Sequence, residues 1–194
     1  NYGGIIFLDR DYYGIGTKYS KKFVSANKTR TVTLGIDHTN QHDDRKRFKN
    51  NLGEQGEKTF DQIEKFKNTG VYLINQTEYE SGLLFRYGVR FDDNKIGTDS
   101  EEFISLNKFN PSLGLSYSIN DSNNVYFSAG TSFETPTLNE LSNNPNGNGL
   151  NKNLDPSSSV NYEIGWRKSA SNLLLQAAAY LINTDNEILP YEIE

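Results

Sequence analysis

The sequence contains no cysteine and no methionine. The absence of cysteine excludes a disulfide framework, a thiolate metal site and a cysteine nucleophile. Because methionine is missing even at position 1, we interpret the chain as a mature or excised segment with no visible signal peptide. No run of eighteen apolar residues occurs, so the sequence predicts no transmembrane helix.

The residues that are abundant favour β-structure. Aromatic residues make up 12% of the chain, with 12 Tyr and 11 Phe, although only 35% of it is hydrophobic. Few helix-forming residues recur with the 3.6-residue period, so the composition predicts an all-β protein. A low apolar content is compatible with a membrane, because a barrel strand exposes only every second residue to lipid. The net charge of −5, without a concentrated basic face, argues against a nucleic-acid partner.

Eight segments show the period-two alternation of strands that are apolar on one face. In the fourth segment, the odd-numbered positions from Leu83 to Phe91 are all apolar, whereas Arg86, Gly88 and Arg90 lie on the other face. The eight predicted strands cover approximately residues 12–23, 31–41, 70–80, 83–92, 109–119, 125–134, 160–167 and 173–184. After the sixth strand the alternation breaks at Thr135-Pro136, and the stretch Thr137–Leu141 is predicted to form a helical turn.

The links between these strands alternate strictly in length. Short turns at about residues 25–28, 80–82, 120–123 and 169–171 alternate with long polar links at 42–68, 93–106 and 135–159. In an up-and-down barrel, this order places every short turn at one rim and every long loop at the other. Strands of about ten residues also suit a tilted crossing of a bilayer. The pattern predicts an outer-membrane barrel rather than a soluble sandwich, whose links would not sort by length.

Aromatic residues near the predicted strand ends agree with a membrane barrel. Amphipathic rings sit at the depth of the lipid headgroups in such proteins. The rings in question belong to Tyr13, Tyr79, Phe91, Phe109, Tyr117, Phe133 and Trp166.

No catalytic or metal-binding arrangement stands out in the sequence. The only two histidines, His38 and His42, would lie about 13 Å apart in a strand, which is too far for one ion. The mixed-charge run from Asp43 to Arg47 is interpreted as the exposed base of a loop. We therefore predict no enzyme, no metal site and no cofactor.

Three arginines project from the polar face of the predicted strands. Arg86 and Arg90 project from the fourth predicted strand, and Arg167 projects from the seventh. If the fourth strand rises towards the long loops, Arg90 lies near the outer mouth and Arg167 near the opposite rim. A guanidinium there could hold an anionic ligand through paired hydrogen bonds. The alternative is a structural ion pair with a plug or a neighbouring strand. Arg86 and Arg90 are the predicted ligand-binding residues.

The last third of the chain resembles a known family. The stretch "YFSAGTSFETPTLNELSNNPNGNG" and the later stretch "NKNLDPSSSVNYEIGWRKS" are similar to the C-terminal half of the barrel in TonB-dependent outer-membrane receptors. In that family a strand ends in a phrase such as S-F-x-x-P-T-L-x-E-L, and N-x-x-L-x-P-x-x-S-x-x-Y-E-I-G follows. The matching positions are Ser132, Phe133, Pro136, Thr137, Leu138, Glu140, Leu141, Asn151, Leu154, Pro156, Ser159, Tyr162, Glu163, Ile164 and Gly165.

The resemblance implies an antiparallel up-and-down transmembrane β-barrel of 22 strands, about eight of which would lie in this segment. We expect residues 1–194 to be a partial barrel, with the lumen plug absent from this segment. The implied partners are a ferric siderophore or other metal chelate, the TonB energy-coupling complex acting through the plug, and outer-membrane lipid. The implied location is the bacterial outer membrane. Copper is a disfavoured cargo, because soft copper sites use Met or Cys.

A second interpretation stays open at this point. Eight strands left as an open sheet would expose two long edges, whereas eight strands can also close into a small barrel. The alternative is therefore a self-contained eight-stranded barrel that acts as a binding, structural or adhesive module. A hydrolase barrel ranks third, because the sequence supplies no nucleophile constellation for it.

Overall fold

The structure, a computed structural model, describes residues 4–142 and 150–189. It contains eight antiparallel strands and one short helix. The elements are β1 (Ile5–Ser25), β2 (Lys28–Asn51), β3 (Glu54–Tyr79), β4 (Leu83–Thr98), β5 (Ile104–Asn120), β6 (Asn123–Glu134), α1 (Leu138–Ser142), β7 (Ser157–Ala170) and β8 (Leu173–Asp185). Among the described residues, no helix has the length and apolar character needed to cross a membrane.

The strands form one sheet in the order in which they occur along the chain. Each strand pairs with its sequence neighbours, and in the described part of the chain β1 does not pair with β8. The sheet is therefore an open segment of a barrel. The predicted all-β up-and-down topology is confirmed, and the alternative of a small barrel closed on itself is wrong for this chain.

The register keeps apolar and polar residues on opposite faces of the sheet. Val89 lies opposite Leu73 and Pro111, whereas the next residue, Arg90, lies opposite Tyr72 and Asn110. The apolar side chains are directed outward and remain exposed, as at Ile15 with 77% of its surface accessible. This outward face is suited to lipid, and the opposite, concave face is suited to a polar lumen.

Outward-facing aromatic rings occur at two levels along the strands. Tyr13, Phe91 and Phe109 lie towards the end with the long strands, whereas Tyr117 and Trp166 lie close to the short turns. Eight residues separate Phe109 from Tyr117 on β5, which corresponds to about 27 Å along an extended strand. On a strand tilted by about 40°, that separation rises about 21 Å, which is within the apolar band of about 25 Å on outer-membrane barrels.

The four short turns lie together at one end of the sheet, as predicted. They comprise residues 26–27, 80–82, 121–122 and 171–172. Gly82, with φ of 84°, supplies the left-handed conformation that the three-residue turn requires. Turns of this kind lie on the periplasmic side of outer-membrane barrels, and we therefore call this end the periplasmic rim.

The first long link is not a loop, and this prediction is wrong. Strands β2 and β3 continue through most of the charged stretch 42–68 and meet at a tight turn, Leu52 and Gly53, with φ of 59° and 102°. The hairpin therefore extends far beyond the roughly ten residues that a bilayer crossing needs. Its outer part carries polar and charged residues on both faces, so alternation disappears from the sequence although the backbone ladder continues.

The other two long links are also shorter than predicted. Strand β4 continues to Thr98 and β5 begins at Ile104, which leaves only residues 99–103 between them. Strand β6 ends at Glu134, so the predicted break before Pro136 is confirmed. The predicted helical turn over Thr137–Leu141 is confirmed as α1. The Asn-rich centre of the third link, residues 143–149, lies outside the described residues.

Some of the largest side chains on the concave face cover glycines on the neighbouring strand. Tyr72 lies across Gly35, where an added Cβ would come within 2.3 Å of the Tyr72 ring. Tyr126 covers Gly165 in the same way, at 2.4 Å. These glycines let tyrosine rings lie flat against the sheet and join adjacent strands on the concave side.

We expect Gly35→Ala to destabilise the barrel by about 1–3 kcal/mol, because the new methyl group would overlap the Tyr72 ring. The measurement is the free energy of unfolding of the full-length protein in urea and detergent. Gly114→Ala is the matched control, since an added Cβ there meets nothing nearer than 3.9 Å. Equal stabilities of the two variants would contradict the role of Gly35.

Candidate functional site

A charged cluster centred on Arg90 lies on the concave face, about halfway along β4. Arg90 on β4 donates two hydrogen bonds to the Asp37 carboxylate on β2, at 2.9 and 2.8 Å. It also donates to Asp92 two positions further along β4, with the shortest contact at 2.7 Å. The Arg90 guanidinium thus lies between two carboxylates, and its positive charge is more than neutralised within the sheet.

Neighbouring residues hold the side chains of this charged cluster in place. The guanidinium lies 5.8 Å from the centre of the Tyr72 ring, and it passes directly over Gly70, where an added Cβ would overlap it. Asn68 donates a hydrogen bond to Asp92, at 3.2 Å, and another to Asn94, at 2.8 Å. These contacts form a polar network that links β2, β3 and β4.

Arg86 is in a different position from Arg90, although both lie on β4 and face the lumen. Its side chain is exposed and donates no hydrogen bond to any side chain or carbonyl in the described part of the chain. It lines a concave groove of about 620 Å³ together with Asn161, Glu163 and Tyr180. Arg167, near the periplasmic rim on β7, instead reaches Gln176 at 3.5 Å and does not line the groove.

At the opposite end of the concave face, α1 begins with a capping box. The Thr137 hydroxyl accepts a hydrogen bond from the Glu140 backbone N–H at 3.4 Å. The Glu140 carboxylate in turn accepts the Thr137 backbone N–H at 2.6 Å. This reciprocal pair satisfies donors that would otherwise be unpaired at a helix start, and it explains why a helix of one turn forms after Pro136.

The segment that contains α1 folds back across the mouth of the sheet and contacts distant strands. Asn139 accepts hydrogen bonds from Arg45 at 2.9 Å and from Arg47 at 3.4 Å, both on β2. Leu141 is completely buried, and it packs in a cluster with Ile96 and Ile104. Leu150, at the far end of the same link, is buried in this cluster and donates its backbone N–H to Glu101 at 2.8 Å.

A cavity of about 360 Å³ lies between this segment and the strands below it. Its polar wall contains Arg10, Asp43, Arg45 and Glu64, and its apolar wall includes Phe66 and Ile96. Arg10 donates paired hydrogen bonds to Asp43 at 2.8 and 2.6 Å, and Arg45 contacts Glu64 at 3.3 Å. The cavity can therefore offer both charges and an apolar surface to a molecule at the extracellular mouth.

The charged run from Asp43 to Arg47 is part of this wall, and its interpretation as an exposed loop base is wrong. It lies within β2, paired to β1 on one side and to β3 on the other. Asp43 is only 3% exposed. Burial alone would raise the pKa of the Asp43 carboxyl, but hydrogen bonds from Arg10 and Gln41 outweigh burial and lower it below its ordinary value.

The two histidines do not form a joint site. They lie four residues apart on β2, and the His38 Nδ1 atom is 2.9 Å from the Thr69 hydroxyl. Among residues 4–142 and 150–189, no three His, Cys, Asp or Glu side chains are grouped so that they could hold a metal ion.

Sequence reasoning missed Arg10, Asp43, Glu64 and Asn139, which meet only in the folded chain. Arg10 and Asp43 are 33 positions apart, and Arg45 and Asn139 are 94 positions apart. One usable signal for the helix was present in Thr137-Leu138-Asn139-Glu140, because Thr-x-x-Glu is the pattern of a capping box.

Comparison with known proteins identifies the family. The family model described as "TonB dependent receptor-like, beta-barrel" matches residues 1–193. A curated relative, the vitamin B12 transporter BtuB of Vibrio vulnificus (strain CMCP6), is 36% identical over 81 residues, or 42% of this chain. The chain spans 12% of that relative's length.

Several solved structures share the fold. The ferric citrate transporter FecA superimposes with a TM-score of 0.77 at 20% identity, over 95% of this chain and 29% of FecA. The alcaligin receptor FauA of Bordetella pertussis gives 0.71 at 24% identity, over 95% and 31%. BauA, the ferric preacinetobactin receptor of Acinetobacter baumannii, gives 0.76 at 12% identity, over 92% and 29%. The names of these relatives describe transporters and receptors, and none of them describes an enzyme.

We expect Leu141→Ala to weaken docking of the α1 segment by about 2–5 kcal/mol, because it leaves a cavity in the buried cluster. The measurement is the rate of limited proteolysis within the link between β6 and β7. Leu52→Ala is the matched control, because Leu52 is 83% exposed at a hairpin tip. Unchanged cleavage in Leu141→Ala would show that the cluster does not hold the segment.

Acidification tests the Arg10–Asp43 pair. The pKa of the Asp43 carboxyl is lower in the folded protein than in the unfolded chain. The ionised carboxylate therefore stabilises the fold at any pH above the pKa that Asp43 has in the unfolded chain. This stabilisation is lost as the pH falls through the lower, folded value. We expect Asp43→Asn to lower the free energy of unfolding at neutral pH and to lose that deficit in acid. Arg10→Gln should show the same convergence, and a deficit that persists undiminished at low pH would disprove the linkage.

Proposed function

The chain belongs to the TonB-dependent receptor family, and from that premise we propose that it is part of a receptor importing a ferric siderophore or similar metal chelate with energy from the TonB system. Receptors of this family reside in the bacterial outer membrane. The observation that carries the proposal is the family match over residues 1–193. The similarity to FecA and BauA, whose names refer to ferric ligands, supports iron as the cargo.

Because the chain spans about three tenths of the solved structures, we propose that these eight strands form one part of a larger barrel. The partners we propose for the whole receptor are a plug in the lumen, the TonB complex acting through that plug, and outer-membrane lipid. The network around Arg90 would then keep the lumen wall rigid while the plug rearranges. The α1 segment would form part of the extracellular mouth at which a chelate is first bound.

Arg86 and Arg90 are proposed to contribute to binding in different ways. Arg86 has an exposed guanidinium beside the groove of about 620 Å³. It could form paired hydrogen bonds with a carboxylate or another anionic group of the cargo or plug. The Arg90 donors already contact Asp37 and Asp92. We propose that Arg90 acts mainly by positioning the wall, and that Arg86 is the cation available to an anion.

A second cargo follows from one specific observation. The curated relative that matches over 81 residues at 36% identity is a vitamin B12 transporter. Cobalamin is a bulky metal chelate, so this cargo would require the same energy coupling and a wide lumen. We therefore retain cobalamin as the alternative to a ferric chelate.

Growth of a strain that lacks the gene distinguishes the two cargoes. We expect the deletion to impair growth when one particular ferric chelate is the sole iron source, with recovery when the full gene is supplied. The parallel culture depends on external cobalamin and is supplied with iron salts. Impairment only in the cobalamin culture would replace the iron proposal, and normal growth in every culture would defeat both.

We expect Arg86→Gln in the full receptor to weaken binding of an anionic ferric chelate by about tenfold, or about 1.4 kcal/mol. Removal of a cation that faces the groove would cause the loss. Titration calorimetry with the chelate identified in the growth assay measures the dissociation constant. Arg167→Gln removes the same charge from the same face but outside the groove, and should leave the affinity unchanged. Equal losses in both variants would refute a local role for Arg86.

A further inference from the structure

A long apolar groove crosses the outward face of the sheet close to the periplasmic rim. It has a volume of about 700 Å³ and extends across β5, β6, β7 and β8. The outward-facing side chains of its lining include Leu115, Phe127, Ile164, Trp166, Ala177 and Ala179.

The pairing of small and large residues creates this groove. Ala177 lies opposite Trp166, and Ala179 lies opposite Ile164, in the register between β7 and β8. A methyl side chain beside an indole or a branched chain leaves a depression, because the two cannot reach the same height above the sheet. On an even lipid-facing surface, larger apolar residues would fill these positions.

One cationic side chain marks the periplasmic end of the groove. Lys168 lies two positions after Trp166 on β7 and therefore on the same outward face, about 7 Å closer to the rim. Its cross-strand partners, Asn123 and Leu175, carry no charge. In the described part of the chain, Lys168 forms no ion pair.

We propose that this groove is a binding site for a glycerophospholipid of the periplasmic leaflet. One acyl chain lies along the groove between Ala177, Ala179 and Trp166, and the phosphate binds Lys168. The apolar walls favour a hydrocarbon chain, since an empty groove would forfeit the contacts that a chain supplies. The lysine near the short turns provides the charge complementarity that sets the direction of the lipid. This site is independent of the cargo and of the lumen.

Quenching of Trp166 by brominated lipid tests the site in the full receptor. The receptor in detergent micelles is titrated with phosphatidylglycerol brominated on its acyl chains. Trp166 is the only tryptophan in the sequence given, and subtraction of the signal from Trp166→Phe removes any other tryptophan of the full receptor. We expect Trp166 to be half-quenched at a lower mole fraction of lipid than any other tryptophan.

Filling the groove should weaken the site. We expect Ala177→Leu combined with Ala179→Leu to raise the mole fraction needed for half-quenching by about tenfold, equivalent to about 1.4 kcal/mol. Ala129→Leu is the matched control, because Ala129 lies on the same outward face but does not line the groove. Equal half-quenching in wild type, double variant and control would show ordinary bulk lipid contact and overturn the proposal.

The variant Lys168→Gln tests the contact with the lipid phosphate separately from the contact with the acyl chain. The result does not depend on how the groove is packed. We expect this variant to weaken phosphatidylglycerol about fivefold, as for one basic residue near a lipid surface. The same variant should bind brominated diacylglycerol, which has no phosphate, as tightly as the wild type does. An equal effect on both lipids would overturn the role of Lys168. Displacement of the brominated lipid by lipopolysaccharide in preference to unlabelled phosphatidylglycerol would overturn the choice of lipid.

Discussion

The interstrand ladder of backbone hydrogen bonds is the constraint on which the rest of this structure depends. Lipid offers no partner for backbone N–H and C=O groups, so a chain that crosses a bilayer as strands must satisfy them within the sheet. Continuous antiparallel pairing from β1 to β8 meets this requirement for every interior strand. The strict period of two then follows, because each residue must face either lipid or lumen.

The polar side chains of the lumen face would add little to the stability of the sheet if they did not contact one another. Here they are joined across strands, as Arg90 joins β4 to β2 and Tyr72 covers a glycine on β2. Such contacts hold adjacent strands together on a face that has no packed apolar core behind it. Among residues 4–142 and 150–189, the buried apolar cluster around Leu141 serves instead to hold a connecting segment over the mouth. Rigidity in the wall and anchoring at the mouth thus have different physical origins.

The outward face is less uniform than its alternation suggests. Alanines on β8 beside large residues on β7 leave a groove, and a lysine lies at its periplasmic end. The lumen face and the lipid face therefore both carry specific features. The first concerns the proposed cargo and plug, and the second concerns the membrane in which the receptor resides.

The sequence by itself determined the fold class, the family, the short turns and the two faces, because lipid on one side enforces alternation at every crossing. It also predicted the helical turn after Pro136. The extent of the outer hairpin was decided only in the folded chain, since polar and charged residues on both faces leave no alternating pattern while β2 and β3 stay paired. The same holds for the Arg10–Asp43 pair and for the contact of Arg45 with Asn139. Their partners are brought together by strand register and by the return of a loop, and neither leaves a local trace in the sequence.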